Sequence, residues 1–338
     1  MWAQVWAQAW AQAWPQVRAI GRKRADAGRV TVPEGDTLRR TAARLDLALR
    51  DGVLDRSDLR WPSAATVDLT GSTVLETRPY GKHLLTRVSD GRTLHTHLRM
   101  DGYWRVVRTG SSEAAARSPK VRAVLAAGPW TAVGHLLGML DVVRSTDEVT
   151  LVGHLGPDVL DDDFLPDPEE PTPTLPPLAP TPVGIDDPGR RRWEGPGLEE
   201  ALRRWDRQGG RPVAEVLLDQ TVVAGLGTIW TAESLFARRV WPWTPAVEVD
   251  RPDLVLRAAR AQMRRSVAAG EELARVHQRA GRPCPRCRTP LVEGSVGVLP
   301  TARPTTWCPV CQADPHHRPA PPVVHRWTGV AAAERRRH

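Results

Sequence analysis

Pro33 and Glu34, inside the run Val32-Pro33-Glu34-Gly35-Asp36-Thr37, form a pair able to do covalent chemistry if the working chain starts there. A valine codon of the GUG type can initiate translation, and an initiator methionine ahead of proline is normally removed. Pro33 would then carry a free secondary amine with a pKa near ~8, so a useful fraction is neutral and nucleophilic without a strong base beside it. Glu34, next along, supplies the proton chemistry. A second reactive set lies far downstream. Cys284-x-x-Cys287 and Cys308-x-x-Cys311, with twenty residues between the pairs, have the spacing of a four-thiolate zinc ribbon in which each pair forms a tight knuckle. Redox-active thiols or an iron-sulfur site are the competing readings. The Pro and turn residues beside both pairs, and the lack of a thioredoxin-like βαβ pattern, favour one structural zinc holding a hairpin too small to fold alone.

Three further positions invite chemistry. Lysines occur only at Lys23, Lys82 and Lys120, against 44 arginines. Arginine stays protonated at any usable pH, whereas a partly desolvated lysine can exchange a proton. Lys82, in Gly81-Lys82-His83-Leu84-Leu85, is thus either functional or a surface lysine on a strand edge, and Lys120 reads as a loop residue. Gly225-Leu226-Gly227-Thr228 places Gly-x-Gly just before a helix, where backbone amides can approach a phosphate closely. The plainer reading is an ordinary helix cap. Arg303, five residues before Cys308, projects from the tip of the ribbon or is a solvated loop charge.

These residues need scaffolds. Leu38, Ala42, Leu45 and Leu49 repeat at helical spacing over residues 36–50. From about 66 to 152 short segments follow instead: Val67-Asp68-Leu69, Leu84 to Val88, Thr93 to Leu98, Tyr103 to Val107 and Val149 to Val152, with turn signals at Ser89-Asp90-Gly91 and Asp101-Gly102. This predicts a two-layered antiparallel β-sandwich with a flanking helix. Eight prolines between Pro166 and Pro182 mark a linker. Helices are expected over Leu198 to Trp205, Val213 to Leu218, Ile229 to Arg238 and Asp253 to Ala268. The fold class is α+β and multidomain. The boundaries drawn are a catalytic β-sandwich at 33–160, a linker or insertion at 161–197, a helical domain at 198–280, the zinc ribbon at 281–312 and a disordered tail at 313–338.

Residues 1–32 stand apart. Met1 to Gln16 repeats a Trp-Ala-Gln-Ala pattern with Trp2, Trp6, Trp10 and Trp14 in step, too short for a solenoid. It reads as a translated nucleotide repeat upstream of the true start, with a membrane- or partner-binding amphipathic helix as the alternative. A secretory signal fits poorly, because Arg18, Arg22, Lys23 and Arg24 follow the apolar stretch. Formal net charge is +8 for the whole chain. Half of the excess lies in the first 32 residues, so nucleic-acid binding has to be argued from where the arginines sit. No apolar run approaches the ~20 residues of a membrane span. Cysteines confined to two C-x-x-C pairs suit a reducing cytosol.

Taken together, these motifs resemble the Fpg/Nei family of bifunctional DNA glycosylases, and within it the endonuclease VIII-like members of high-GC actinobacteria. The likeness spans nearly all of residues 33–312. It rests on Pro33 to Thr37, Gly81 to Leu85, His97-Leu98-Arg99-Met100-Asp101-Gly102, the Asp219-Gln220 to Glu233 segment that looks like a helix-two-turns-helix element, and the ribbon from Arg303 to Gln312. The resemblance implies base excision repair on damaged DNA by a cytoplasmic, nucleoid-associated monomer. Pro33 would attack C1′ of the lesion and form a Schiff base, and Glu34 would protonate the sugar ring oxygen and then shuttle protons. Lys82 would contact the adjacent phosphate and donate a proton in β-elimination. Arg303 would grip the flanking phosphates and assist δ-elimination. Met100, otherwise a core methionine on a strand, would fill the gap left by the flipped nucleotide. Gly225, Gly227 and Thr228 would lie at the DNA backbone, although the family commonly has Asn where Thr228 stands. Oxidised pyrimidines are the expected substrate and oxidised purines the runner-up. If Pro33 is not N-terminal, a catalytically inactive lesion-binding protein is the alternative.

Overall fold

The computed structural model describes residues 33–165, 195–298 and 300–320. The Trp-rich repeat and the basic residues after it, the proline-rich stretch at 166–182 and the tail beyond 320 lie outside the described residues.

Helix α1 (Gly35–Leu49) buries Leu38, Ala42, Leu45 and Leu49 completely or nearly so, as their spacing predicts. Its end is fixed by Arg50, whose Nε donates to Asp46 Oδ2 at 2.9 Å. Two antiparallel sheets share this apolar stripe. One runs in the order β1 (Arg56–Leu59), β6 (Val121–Ala127), β7 (Trp130–His135), β5 (Tyr103–Arg108). The other runs β2 (Val74–Tyr80), β3 (His83–Val88), β4 (Arg92–His97), β8 (Met139–Arg144). Leu84, Val88, Leu94 and Leu140 from the second sheet meet Trp104, Leu125 and Ala132 from the first in one core with α1. Pro79 is tolerated because β2 lies at a sheet edge, where a missing N–H breaks no ladder.

Two short segments depart from expectation. Val67 to Leu69 is irregular, and the strand that pairs with β6 lies upstream at Arg56–Leu59. Val149–Val152 forms a helical turn, α2, instead of a strand. A four-residue apolar run carries no period, and here the preceding Glu148 is pulled into the sheet by Arg87. Arg87 is about as buried as any side chain in the protein. It pairs with Glu76 on β2 and donates to Glu148 at 2.7 and 2.8 Å, while Thr93 Oγ1 also donates to Glu148 at 2.5 Å.

A second core is helical: α3 (Gly197–Asp206), α4 (Val213–Leu218), α5 (Thr228–Arg238) and α6 (Pro252–Ala269) surround Trp205, Trp230, Leu235 and Met263. Val159 and Leu160, drawn as the end of the sandwich, and Phe164, in the segment drawn as linker, sit in this helical core, so the chain is anchored before the prolines start. The hairpin β9 (Val292–Val296) and β10 (Arg303–Trp307) leans on the same core through Trp307, which meets Trp243 edge-on at 4.8 Å. Residues 313–318, drawn as disordered tail, are also held: Arg318 donates to Asp314 and to Glu248 at 2.8 Å each. Among the described residues no helix is long and apolar enough to cross a membrane.

The Arg87 cluster sets a test of the first domain. Arg87→Leu removes the guanidinium shared by two buried carboxylates, leaving Glu76 to Arg78 Nε at 2.6 Å and Glu148 to the Thr93 hydroxyl, and is expected to cost about 3–5 kcal/mol. Chemical denaturation of the variant against the parent protein measures this.

Candidate active site

Pro33 and Glu34 precede α1, and Glu34 leaves its own helix uncapped. Its side chain instead crosses to the second domain and takes the N-terminus of α5. Oε2 accepts from Gly227 N at 2.9 Å and from Trp230 N at 3.3 Å, and Oε1 accepts from Ile229 N at 2.7 Å. The first amides of a helix lack intrahelical partners and carry a partial positive charge, so a carboxylate fits there. Glu34 is fully buried, however, and desolvation outweighs those bonds. Its carboxyl is pushed up to about 7, with Asp36 pushing the same way and Lys82 and the helix amides pulling it down.

Lys82 lies at the tip of the two-residue turn between β2 and β3, where Tyr80 pairs with His83. Burial holds its ammonium below the ordinary lysine range. The Glu34 carboxylate opposes that shift, and Arg303 adds to it. Lys82 thus feels a carboxylate 48 positions before it and a repelling guanidinium at the first residue of β10, where Arg303 is exposed and donates from Nη1 to Thr301 O at 3.1 Å.

Glycines allow these parts to meet. A Cβ on Gly227 would lie 2.5 Å from Glu34 Oε1 and 2.8 Å from its Cγ. Gly35 N donates to Gly225 O at 2.9 Å. This corrects the phosphate-cradle reading of the loop: Gly227 N is taken by Glu34 and Gly225 N by Gln220 Oε1 at 3.0 Å, so both amides are satisfied within the protein. Thr228, the first residue of α5, is half-buried.

Met100 is 45% exposed in a turn, not buried on a strand. Arg99 takes a φ of 51° there, and Gly102 N closes the turn on Leu98 O at 2.9 Å.

The sequence reading gave no role to Asp36, which lies beside Glu34. Its Oδ1 accepts from Trp230 Nε1 at 3.0 Å and its Oδ2 from Ser266 Oγ at 2.7 Å and Arg40 Nη1 at 3.0 Å. Two carboxylates at the start of α1, Glu34 just before it and Asp36 in its first turn, therefore both anchor on the helical domain, and only their proximity in the motif hinted at it. The ring cluster next to Lys82 was likewise unread: His83 Nδ1 and His95 Nε2 are 2.8 Å apart, and His97 meets His83 edge-on at 4.9 Å. Burial keeps these imidazoles neutral, pushing His97 down to about 4.

In the ribbon the four sulfurs of Cys284, Cys287, Cys308 and Cys311 all lie within 4.8 Å of one another. Cys284 and Cys311 Sγ are 3.9 Å apart, and Cys287 and Cys308 Sγ 3.4 Å. Tetrahedral ligands at about 2.3 Å from a zinc would be ~3.8 Å apart, so this donor set fits the ion. Arg286 N and Cys311 N each point at a sulfur, at 3.4 and 3.3 Å, as a knuckle requires.

Residues 32–134 match the family description of the formamidopyrimidine-DNA glycosylase N-terminal domain, and residues 187–278 that of the formamidopyrimidine-DNA glycosylase H2TH domain. The chain is 40% identical to a probable endonuclease 8 2 of Streptomyces coelicolor, covering 85% of this chain and 96% of that one. It is 34% identical to the DNA-(apurinic or apyrimidinic site) lyase Nei2 of Mycolicibacterium smegmatis, over 83% of this chain and 99% of the relative. The fold is shared with Lactococcus lactis formamidopyrimidine-DNA glycosylase bound to abasic-site DNA, at a TM-score of 0.64, 18% identity, and coverage of 83% of this chain and 100% of that one.

Gly227→Ala tests the crossing contact. Gly227 is in extended backbone that any residue adopts, so the methyl acts only by pushing on Glu34. We expect ~1–3 kcal/mol of lost stability from overpacking, read by thermal unfolding.

Proposed function

We propose that this chain, which belongs to the Fpg/Nei family, excises oxidised bases from DNA and cuts the strand through a Schiff base on the amine of Pro33. It is a DNA glycosylase with AP lyase activity, of the endonuclease 8-like type, and acts in base excision repair on damaged DNA. The observation that carries the mechanism is Glu34: a buried carboxyl adjoining Pro33, held near neutrality by desolvation and coupled to Lys82.

In this reading the chain begins at Pro33. The amine lone pair attacks C1′ as the bond to the damaged base breaks, the base leaves with the amine's proton, and Glu34 protonates the sugar ring oxygen as the C1′–O4′ bond opens to give an iminium. The iminium then acidifies C2′, the Glu34 carboxylate left by the first transfer takes that proton, the C3′–O bond breaks, and Lys82 supplies a proton to the departing phosphate. Arg303 grips the flanking phosphates for the second elimination, and Met100 fills the space the extruded nucleotide leaves. Thr228 offers a hydroxyl toward the DNA backbone. One zinc held by Cys284, Cys287, Cys308 and Cys311 contributes stability to the hairpin that carries Arg303, and takes no part in the chemistry. Pro33-Glu34-Gly35 favours oxidised pyrimidines over oxidised purines.

Borohydride trapping on abasic duplex tests the nucleophile. Protein starting at Pro33 is expected to form the covalent adduct and the unprocessed 338-residue chain not to, because Pro33 is then an amide. Trapping by the intact full-length chain overturns this account. Competing duplexes with an oxidised pyrimidine or an oxidised purine decide the substrate class by relative single-turnover rates.

Glu34 also sets a pH dependence. Its folded pKa is raised, so the acid form persists up to about pH 7 and is lost above it. Base excision should decline as pH rises through that value, and Glu34→Gln should lower it by at least ~10²-fold below pH ~7, the gap narrowing above it. A flat excision profile in the parent protein would contradict the assignment.

Chelation tests the ribbon. Removing the metal should release one zinc per chain and abolish strand cutting, while the Arg87-centred first domain stays folded by circular dichroism.

A further inference from the structure

We infer that Asp158, on the strap that joins the two domains, is a positioning residue for Lys82, setting where its ammonium stands in the cleft. This rests on the role proposed above for Lys82 in strand cleavage.

The argument starts from the turn. Tyr80 and His83 pair directly, which leaves Gly81 and Lys82 as the two central residues of a hairpin turn. Gly81 has a φ of 55° and Lys82 is not among the positive-φ residues, the pattern of a type II′ turn with glycine first. The amide of the first central residue points out of the ladder and, once buried, needs an acceptor from elsewhere. Asp158 supplies it: Gly81 N donates to Oδ2 at 2.9 Å, and the other oxygen, Oδ1, takes Leu160 N at 2.9 Å. At 5% exposure the carboxylate has little access to water, so these two amides are its main compensation.

Asp158 is itself fixed to the helical domain. Ala224 N donates to Pro157 O at 2.8 Å and Val159 N to Ala224 O at 3.1 Å, a one-residue parallel bridge centred on Asp158. Arg260 of α6 ties the strap further along, donating to Val159 O at 2.6 Å and Asp161 O at 2.7 Å. On the far side, a Cβ on Gly81 would lie 2.9 Å from Ala224 Cβ, so the turn is pressed against the same loop that runs on to Gly227 and Glu34. One carboxylate therefore fixes the backbone that carries Lys82 relative to the loop that carries the Glu34 amides. Among the described residues none hydrogen-bonds the Lys82 side chain, so its position is inherited from the turn.

Two oxygens receive two amides from different directions, so Asp158→Asn cannot serve both: one N–H would face an NH2 group. Displacing a proton donor by a fraction of an ångström to an ångström costs up to about a hundredfold in its step. On abasic duplex under single-turnover conditions, Asp158→Asn should trap with borohydride within about threefold of the parent and cut the strand at least ~10-fold more slowly. Combined with Lys82→Ala it should be no slower than Lys82→Ala alone, since both act through one ammonium. If the Asn variant does not fold, Asp158→Glu, which keeps charge and both oxygens on a longer arm, should give the same selective loss. Equal slowing of trapping and cutting, or losses that add to those of Lys82→Ala, would overturn the inference. A parent protein that forms no adduct overturns the role of Pro33 and this inference with it.

Discussion

The Glu34 carboxylate on the N-terminus of α5 is the interaction on which the remaining geometry depends. It belongs to the first domain in sequence and to the second in its bonds, across 193 residues from Gly227. A buried carboxylate needs donors, and a helix start needs an acceptor. Each satisfies the other, and the satisfied pair locks the entry to α1 against the loop before α5. Asp36, two residues on, adds a second anchor through Trp230 and Ser266, so the two domains meet through directed polar contacts as well as apolar surface. The reactive residues lie where those contacts converge.

Close approach is the second constraint. Gly227 lies against the Glu34 side chain and Gly81 against Ala224, and in both places a methyl group would have to occupy filled space. The Gly-x-Gly that resembled an anion cradle is shaped by an internal anion instead. Such a loop still exposes Thr228, half-buried at the helix start, so the same element can face inward with its amides and outward with its side chain.

How far the sequence revealed this depends on the scale of each feature. The α1 stripe was legible because one helical face is buried and Leu38, Ala42, Leu45 and Leu49 keep step. Helices α3 to α6 were legible for the same reason. Strands β6 and β7 were not singled out, because β6 is buried at all but one position and β7 at all but its last, leaving no period of two. Residues 114–116 explain that burial: Ala116 covers the outer face of these strands with Val121, Val124 and Val133. The Cys spacing announced the ribbon. The partner of Glu34, the second anchored carboxylate at Asp36 and the clamp at Asp158 could not be read, because their partners are distant in sequence and a backbone amide leaves no trace in residue identity. Burial of Lys82 was undecidable for the same reason, since the surface that covers it comes from the other domain.

The electrostatics of the site follow from placing Glu34, Lys82 and Arg303 within reach of one another under burial. Desolvation favours the neutral form of both Glu34 and Lys82, while their mutual attraction favours the charged forms, and Arg303 adds a repulsion felt only by Lys82. An anion arriving between Lys82 and Arg303 screens that repulsion and draws on the same ammonium that stabilises the Glu34 carboxylate. By the rule that an opposite charge favours ionisation, weakening Lys82's hold on Glu34 raises the carboxyl's affinity for its proton. A phosphate bound there therefore charges the lysine more firmly and discharges the glutamate. The two groups are pushed toward the protonation states that the roles proposed for Glu34 and Lys82 require, without either side chain having to move.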